Sequence, residues 1–127
     1  MEQQRLVIQI KNAEFEVALY DNPSTEKLVS ALPLSISMSK WGGEYYGTLP
    51  VPIPAHGKKT ELFEEGEVAL WPDGNGFCIF FGPTPVSTDA RPKMASPGIA
   101  FGKITSDFSA LHQLGDSLRE VKLFLRQ

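Results

Sequence analysis

Cysteine and histidine are nearly missing from this 127-residue chain, which has one Cys and two His. A lone Cys78 forms no intramolecular disulfide, so nothing indicates an oxidising compartment. A dedicated zinc site needs about four Cys/His-type ligands, or three and a water, and His56 and His112 form no such cluster with it. Cationic excess is absent too. Twelve Lys+Arg against fifteen Asp+Glu leave a net charge of −3, a poor balance for nucleic acid, whose affinity rests on cation–phosphate pairing. No apolar run approaches the ~18 residues of a membrane span. The opening MEQQRLVIQI has no signal-type apolar core, and Pro23 spoils the Asn22 sequon. The expectation is a cytoplasmic protein with no cofactor, no nucleic-acid partner and no membrane.

What is present suffices for one core. Apolar residues make up 42% and aromatics 10%, enough for a single domain over residues 1–127 to bury roughly two-thirds of its unfolded surface. Period two dominates. Leu6, Ile8 and Ile10 share one strand face, and Phe15, Val17 and Leu19 another, with a turn at Lys11-Asn12. Leu34, Ile36 and Met38 alternate with serines, and Val68 and Leu70 with Ala69 and Trp71. Phe77 to Phe81 is apolar on both faces, as in a central strand. Further strands are read at Ile99–Ile104 and from Val121 to Leu125. Two short helices interrupt them. One follows Asn22-Pro23, an N-cap with proline at the first helical position, and stops at Pro33. The other runs from Ser106 to Gly115 and carries Phe108 and Leu111. This pattern predicts a mainly β fold, a small closed barrel of about eight strands with two short helices.

Two loops stand out. Residues 49–59 place prolines at positions 50, 52 and 54, which removes alternate backbone donors and reads as an edge or extended loop. Residues 82–98 are long, polar and proline-punctuated, the kind of connection that is often functional. Gly74-Asn75-Gly76 follows Trp71-Pro72-Asp73 and has no helix after it, so it reads as a hairpin turn, not a phosphate loop. Cys78 lies in an apolar strand, which favours packing over nucleophilic chemistry. Ser87 lacks a nucleophile-elbow context. The carboxylate pairs Glu14/Glu16 and Glu64-Glu65 read as solvated faces.

The aromatic residues carry the strongest surface signal. Residues 41–47 (WGGEYYG) set three large rings among three glycines, and Trp71, Phe77 and Phe80 follow on neighbouring strands. Rings beside glycine form shallow grooves for a peptide or small apolar ligand. The candidate lining is Trp41, Tyr45, Trp71, Phe77 and Phe80, with Arg91 and the 82–98 loop as rim. The competing reading of each ring is core filling, and of Arg91 a solvated loop cation. Surface rings of this kind also suit a homo-oligomer patch.

The blocks Ser39-Lys40-Trp41-Gly42-Gly43-Glu44-Tyr45-Tyr46, Gly66 to Pro72 and Phe77 to Pro85, with the late Gly102-Lys103-Ile104, resemble the small bacterial and archaeal cyclophilin-like proteins. The resemblance runs nearly the whole chain. It implies a compact eight-stranded barrel, in a family largely without an established activity. True cyclophilins are peptidyl-prolyl isomerases with an Asn-Gly-Ser-Gln-Phe-Phe-Ile strand along the active groove. Here Asn75-Gly76-Phe77-Cys78-Ile79-Phe80-Phe81 looks like its counterpart, with Phe80 as the implied pocket floor and Cys78 in place of the glutamine. Their Phe-His-Arg segment supplies a donor against an amide rotation barrier of about 18–20 kcal/mol. This chain has no such segment, and Arg91 is not at a matching position. The leading expectation is therefore a binding domain for a small molecule or peptide, with no catalytic residue assigned. Weak prolyl isomerisation is one alternative. An accessory subunit in amide or lactam metabolism, resting on fold analogy alone, is another.

Overall fold

Alternating apolar residues have one way to hide from water on every strand at once, which is to curl the sheet until its apolar faces meet. A computed structural model, describing residues 4–126, shows this arrangement. The strands are β1 (Arg5–Ile10), β2 (Ala13–Leu19), β3 (Leu34–Trp41), β4 (Glu44–Thr48), β5 (Thr60–Leu62), β6 (Glu67–Trp71), β7 (Gly76–Phe80), β8 (Lys93–Ile104) and β9 (Ser117–Leu125), with one helix, α1 (Pro23–Ala31). They form one sheet in the order β2-β1-β9-β3-β4-β7-β6-β8-β5, and β2 also pairs with β8. That extra pairing turns eight strands into a ring, with β5 hydrogen-bonded to β8 alongside it.

The ring's interior is filled by the alternating residues read from the sequence. Leu6, Ile8, Phe15, Val17, Leu70, Phe77, Ile79, Phe101, Val121 and Leu123 are all buried in one cluster. The strand read as central is so: β7 lies between β4 and β6, with all five residues buried. Helix α1 begins as expected. The Asn22 side chain accepts from Thr25 N at 2.8 Å, Pro23 occupies the first turn, and Leu28 is wholly buried in the main cluster.

Three expectations need correction. The second helix is a single 3-10 turn, Ser109–Gln113, with no side-chain cap. Its one well-buried apolar residue, Leu111, anchors a turn but gives a longer helix no face to pack. The long loop is shorter than it reads, because β8 starts at Lys93 and not at Ile99. Pro97 is tolerated inside it because the β5–β8 register slips between Leu62↔Lys93 and Thr60↔Gly98. Two strands, β4 and β5, were not legible as strands. Glycines and side-by-side aromatics mask the first, and the second has only three residues.

The proline segment does run as an irregular connection, and Asn75 clamps it. Asn75 stands in the left-handed region at φ 48°. Its Oδ1 accepts from Ile53 N at 3.0 Å, and its Nδ2 donates to Val51 O at 2.8 Å and Leu49 O at 3.3 Å. No helix among the described residues is long and apolar enough to cross a membrane. Asn75→Ala should cost about 3 kcal/mol, from three lost hydrogen bonds and an alanine forced to positive φ. Urea denaturation checks this, and a loss no larger than that of an ordinary surface substitution would refute the clamp.

Candidate functional site

Once the ring fixes an inside, each strand must also present an outside. On β4 the alternation sends Tyr45 inward and puts Glu44 and Tyr46 on the outer face. Trp41 of β3 pairs with Glu44, and on β7 Phe80 pairs with Glu44 and Cys78 with Tyr46. The outer face here is not left to water. Phe63, Ala69, Cys78, Phe80 and Met94 form a second buried cluster, with Trp71 packed against it. The Phe63 and Phe80 rings stack with centroids 4.7 Å apart. Beside this cluster lies a hollow of about 200 Å³ walled by Trp41, Glu44, Tyr46, Trp71, Met94 and Ala95.

Two close approaches shape it. A Cβ on Gly43 would stand 2.2 Å from the Gly82 carbonyl carbon, so only glycine lets the β3–β4 tip lie against the chain leaving β7. Gly43 N donates to Pro83 O and Phe81 N to Gly43 O, both at 2.8 Å. This contact holds Trp41 and Glu44 at the hollow. On the other side, a Cβ at Gly74 would meet the Trp71 ring at 2.5 Å, so the indole lies flat on the turn. Its Nε1 donates to Ser96 Oγ at 2.8 Å, and that hydroxyl donates to Asp73 Oδ2 at 2.7 Å.

The chemistry centres on Glu44. It is 4% exposed, and its Oε1 is buried with no hydrogen-bond partner among the described residues. Burial pushes the carboxyl up to about 7, against a smaller opposing effect of a hydrogen bond from the Cys78 thiol. Burial also pushes Cys78 well up, helped by the neighbouring Glu44 charge. Such a thiol is held protonated and is no nucleophile. A larger depression of about 470 Å³ over β1 and β9 is bordered by charged residues, Lys11, Arg119, Glu120 and Lys122, as well as by Ile10 and Leu118. Glu44, whose Oε1 is buried without a partner, is among the residues lining the smaller hollow, which makes that one the candidate site. Among the described residues no group of three His, Cys, Asp or Glu is placed to hold a metal.

The structure brings Trp41 and Trp71 together at this hollow and puts Phe80 in the cluster beside it. It separates Tyr45 and Phe77, which face the ring's interior. Tyr45 lies 5.3 Å from the Phe81 ring and donates to the Gly115 carbonyl, and Phe77 stacks on Phe101 at 5.8 Å. Neighbours along a strand cannot share a face, so Tyr45 could never accompany Glu44. Arg91 is outside the hollow's lining and is exposed, paired with Asp89 at 2.6 Å within its own loop. Sequence reasoning missed Glu44, Tyr46, Met94 and Ala95. A two-glycine hairpin turn pairs Trp41 with Glu44 on one face, and alternation along β4 then adds Tyr46.

The sequence matches the family described as cyclophilin-like over residues 4–123. A hypothetical protein of Archaeoglobus fulgidus, solved in solution, is similar at 32% identity and a TM-score of 0.83, covering 98% of this chain and 95% of that one. No curated protein matches.

The raised Glu44 carboxyl has a signature in stability. Between its ordinary value of 4.5 and about 7, the folded protein holds a proton that the unfolded chain has lost. Stability from this group therefore falls as pH rises through that window and levels off above it. The difference amounts to about 3 kcal/mol. Glu44→Gln should gain on the wild type by that order above about pH 7 and show little gain near pH 4.5. Denaturation of both proteins across the range checks it, and a constant difference would refute the assignment.

Proposed function

The chain belongs to the cyclophilin-like family, and from that premise we propose that it is a binding domain whose closed eight-stranded barrel carries a small-ligand site on its outer face. The site is the hollow between Trp41 and Trp71. The observation that carries this reading is the buried Glu44 carboxyl, with its Oε1 unpartnered, among the walls of a hollow lined by aromatic rings. An oxygen deprived of both water and a protein partner is a standing cost to the fold, and a ligand donor removes it. Isolated tryptophans on a surface are ordinary, whereas two lining one hollow together with such a group form the wall of a binding pocket.

The occupant is a small molecule or one side chain of a peptide. At about 200 Å³ the hollow is smaller than the roughly 300–1,000 Å³ of drug-sized sites. Prolyl isomerisation lacks its donor here, because the loop cation Arg91 is paired with Asp89 and absent from the lining. Cys78, the counterpart of the isomerase glutamine, spends its proton on Glu44.

Screening small amines, alcohols, amides and proline dipeptides by the indole N–H signals of the two tryptophans tests this reading. Saturable shifts of both signals are expected, and Trp41→Ala should weaken binding by at least about tenfold through lost ring contact. Shifts scattered over the molecule, or none at the indoles, would overturn it. A protease-coupled proline-peptide assay should return the rate of buffer.

A further inference from the structure

The walls of the hollow are electrostatically one-sided. They hold one carboxyl, Glu44, and the rings of Trp41, Tyr46 and Trp71, with no lysine, arginine or histidine among them. An aromatic face carries the negative part of the ring's quadrupole, so rings and carboxylate favour the same sign of guest. Lys40, next to Trp41 in the chain, projects from the other face of β3, with its Nζ 6.0 Å from the Phe81 ring centroid. An anion would meet only repulsion, and a purely apolar guest would leave Oε1 as destitute as before. A cation satisfies both the rings and the oxygen.

We propose that the hollow takes up the cationic end of an organic amine, a primary or methylated ammonium, with Glu44 as its counter-charge and the rings of Trp41, Tyr46 and Trp71 as its walls. This rests on the ligand-site reading above and names the class of ligand. As the ammonium enters, the Glu44 carboxyl releases its proton to water, and one positive charge replaces another. The groups facing Glu44 leave it as the titrating partner. From β7 comes the Cys78 thiol, held neutral by burial. From β4 comes the Tyr46 phenol, and from β3, β6 and β8 come Trp41, Trp71, Met94 and Ala95, none of them charged.

Choline and its carbon isostere 3,3-dimethylbutan-1-ol share a shape and differ in charge, so they are the probes. Each is titrated into nitrogen-15-labelled protein while the two indole N–H signals are followed. Choline should bind roughly tenfold tighter than the isostere at about pH 8. Its affinity should fall as pH drops through the Glu44 transition, while the isostere's stays level. In Glu44→Gln the preference for choline should shrink to the part the rings supply and lose its pH dependence. Equal or tighter binding of the isostere, or a level choline profile in the wild type, would overturn the ammonium proposal and leave the hollow standing as a site. Silence of the indoles toward both probes also overturns it, and the broader screen then decides separately whether the hollow binds anything. Should Glu44→Gln fail to fold, the wild-type pH profile and the isostere comparison decide on their own.

Discussion

Three residue pairs, Val17↔Ile104, Ala18↔Lys103 and Leu19↔Gly102, join β2 to β8. Without them the sheet would have one more open edge, with unsatisfied donors and acceptors along both strands. With them, each strand of the ring acquires an inner and an outer side, and alternation sorts every residue to one or the other. Tyr45, Phe77 and Ile79 go in, and Glu44, Tyr46, Cys78 and Phe80 go out. The placement of the carboxyl and its surrounding rings follows from that single closure and the registers it enforces.

The outward residues of β4, β6 and β7 are too apolar to face solvent, and the chain covers them. Phe63, just past the short strand β5, stacks on Phe80, and Met94 at the start of β8 completes the cluster. Glu44 is caught at the margin of this cover. A leucine there would need no hydrogen-bond partner and would face no desolvation penalty. An acid in such a place weakens the native state at neutral pH.

Much of this was legible beforehand. The interior could be read from Leu6-Ile8-Ile10, Phe15-Val17-Leu19 and the uniformly apolar Phe77–Phe81, because burial on one or both faces imprints directly on residue order. Helix α1 announced itself through Asn22 and Pro23. The candidate hollow is half legible: Trp41 and Trp71 both border it, and glycines beside large rings signal close packing near a surface. Tyr45 and Phe77 were misplaced by counting rings along the chain without assigning each to a side. Met94 and Ala95 could not be chosen at all, because β8, which carries them, is placed by its long-range pairings with β5 and β6. Those are long-range facts that no local pattern encodes.

The two tryptophans are not equivalent. The Trp71 indole is pinned by Ser96, Asp73 and the turn beneath it, whereas the Trp41 indole makes no hydrogen bond among the described residues. The hollow is thus a vice with one fixed jaw. The β3–β4 tip therefore presents an indole anchored only through its backbone, and the β6–β7 turn one fixed at its ring nitrogen as well.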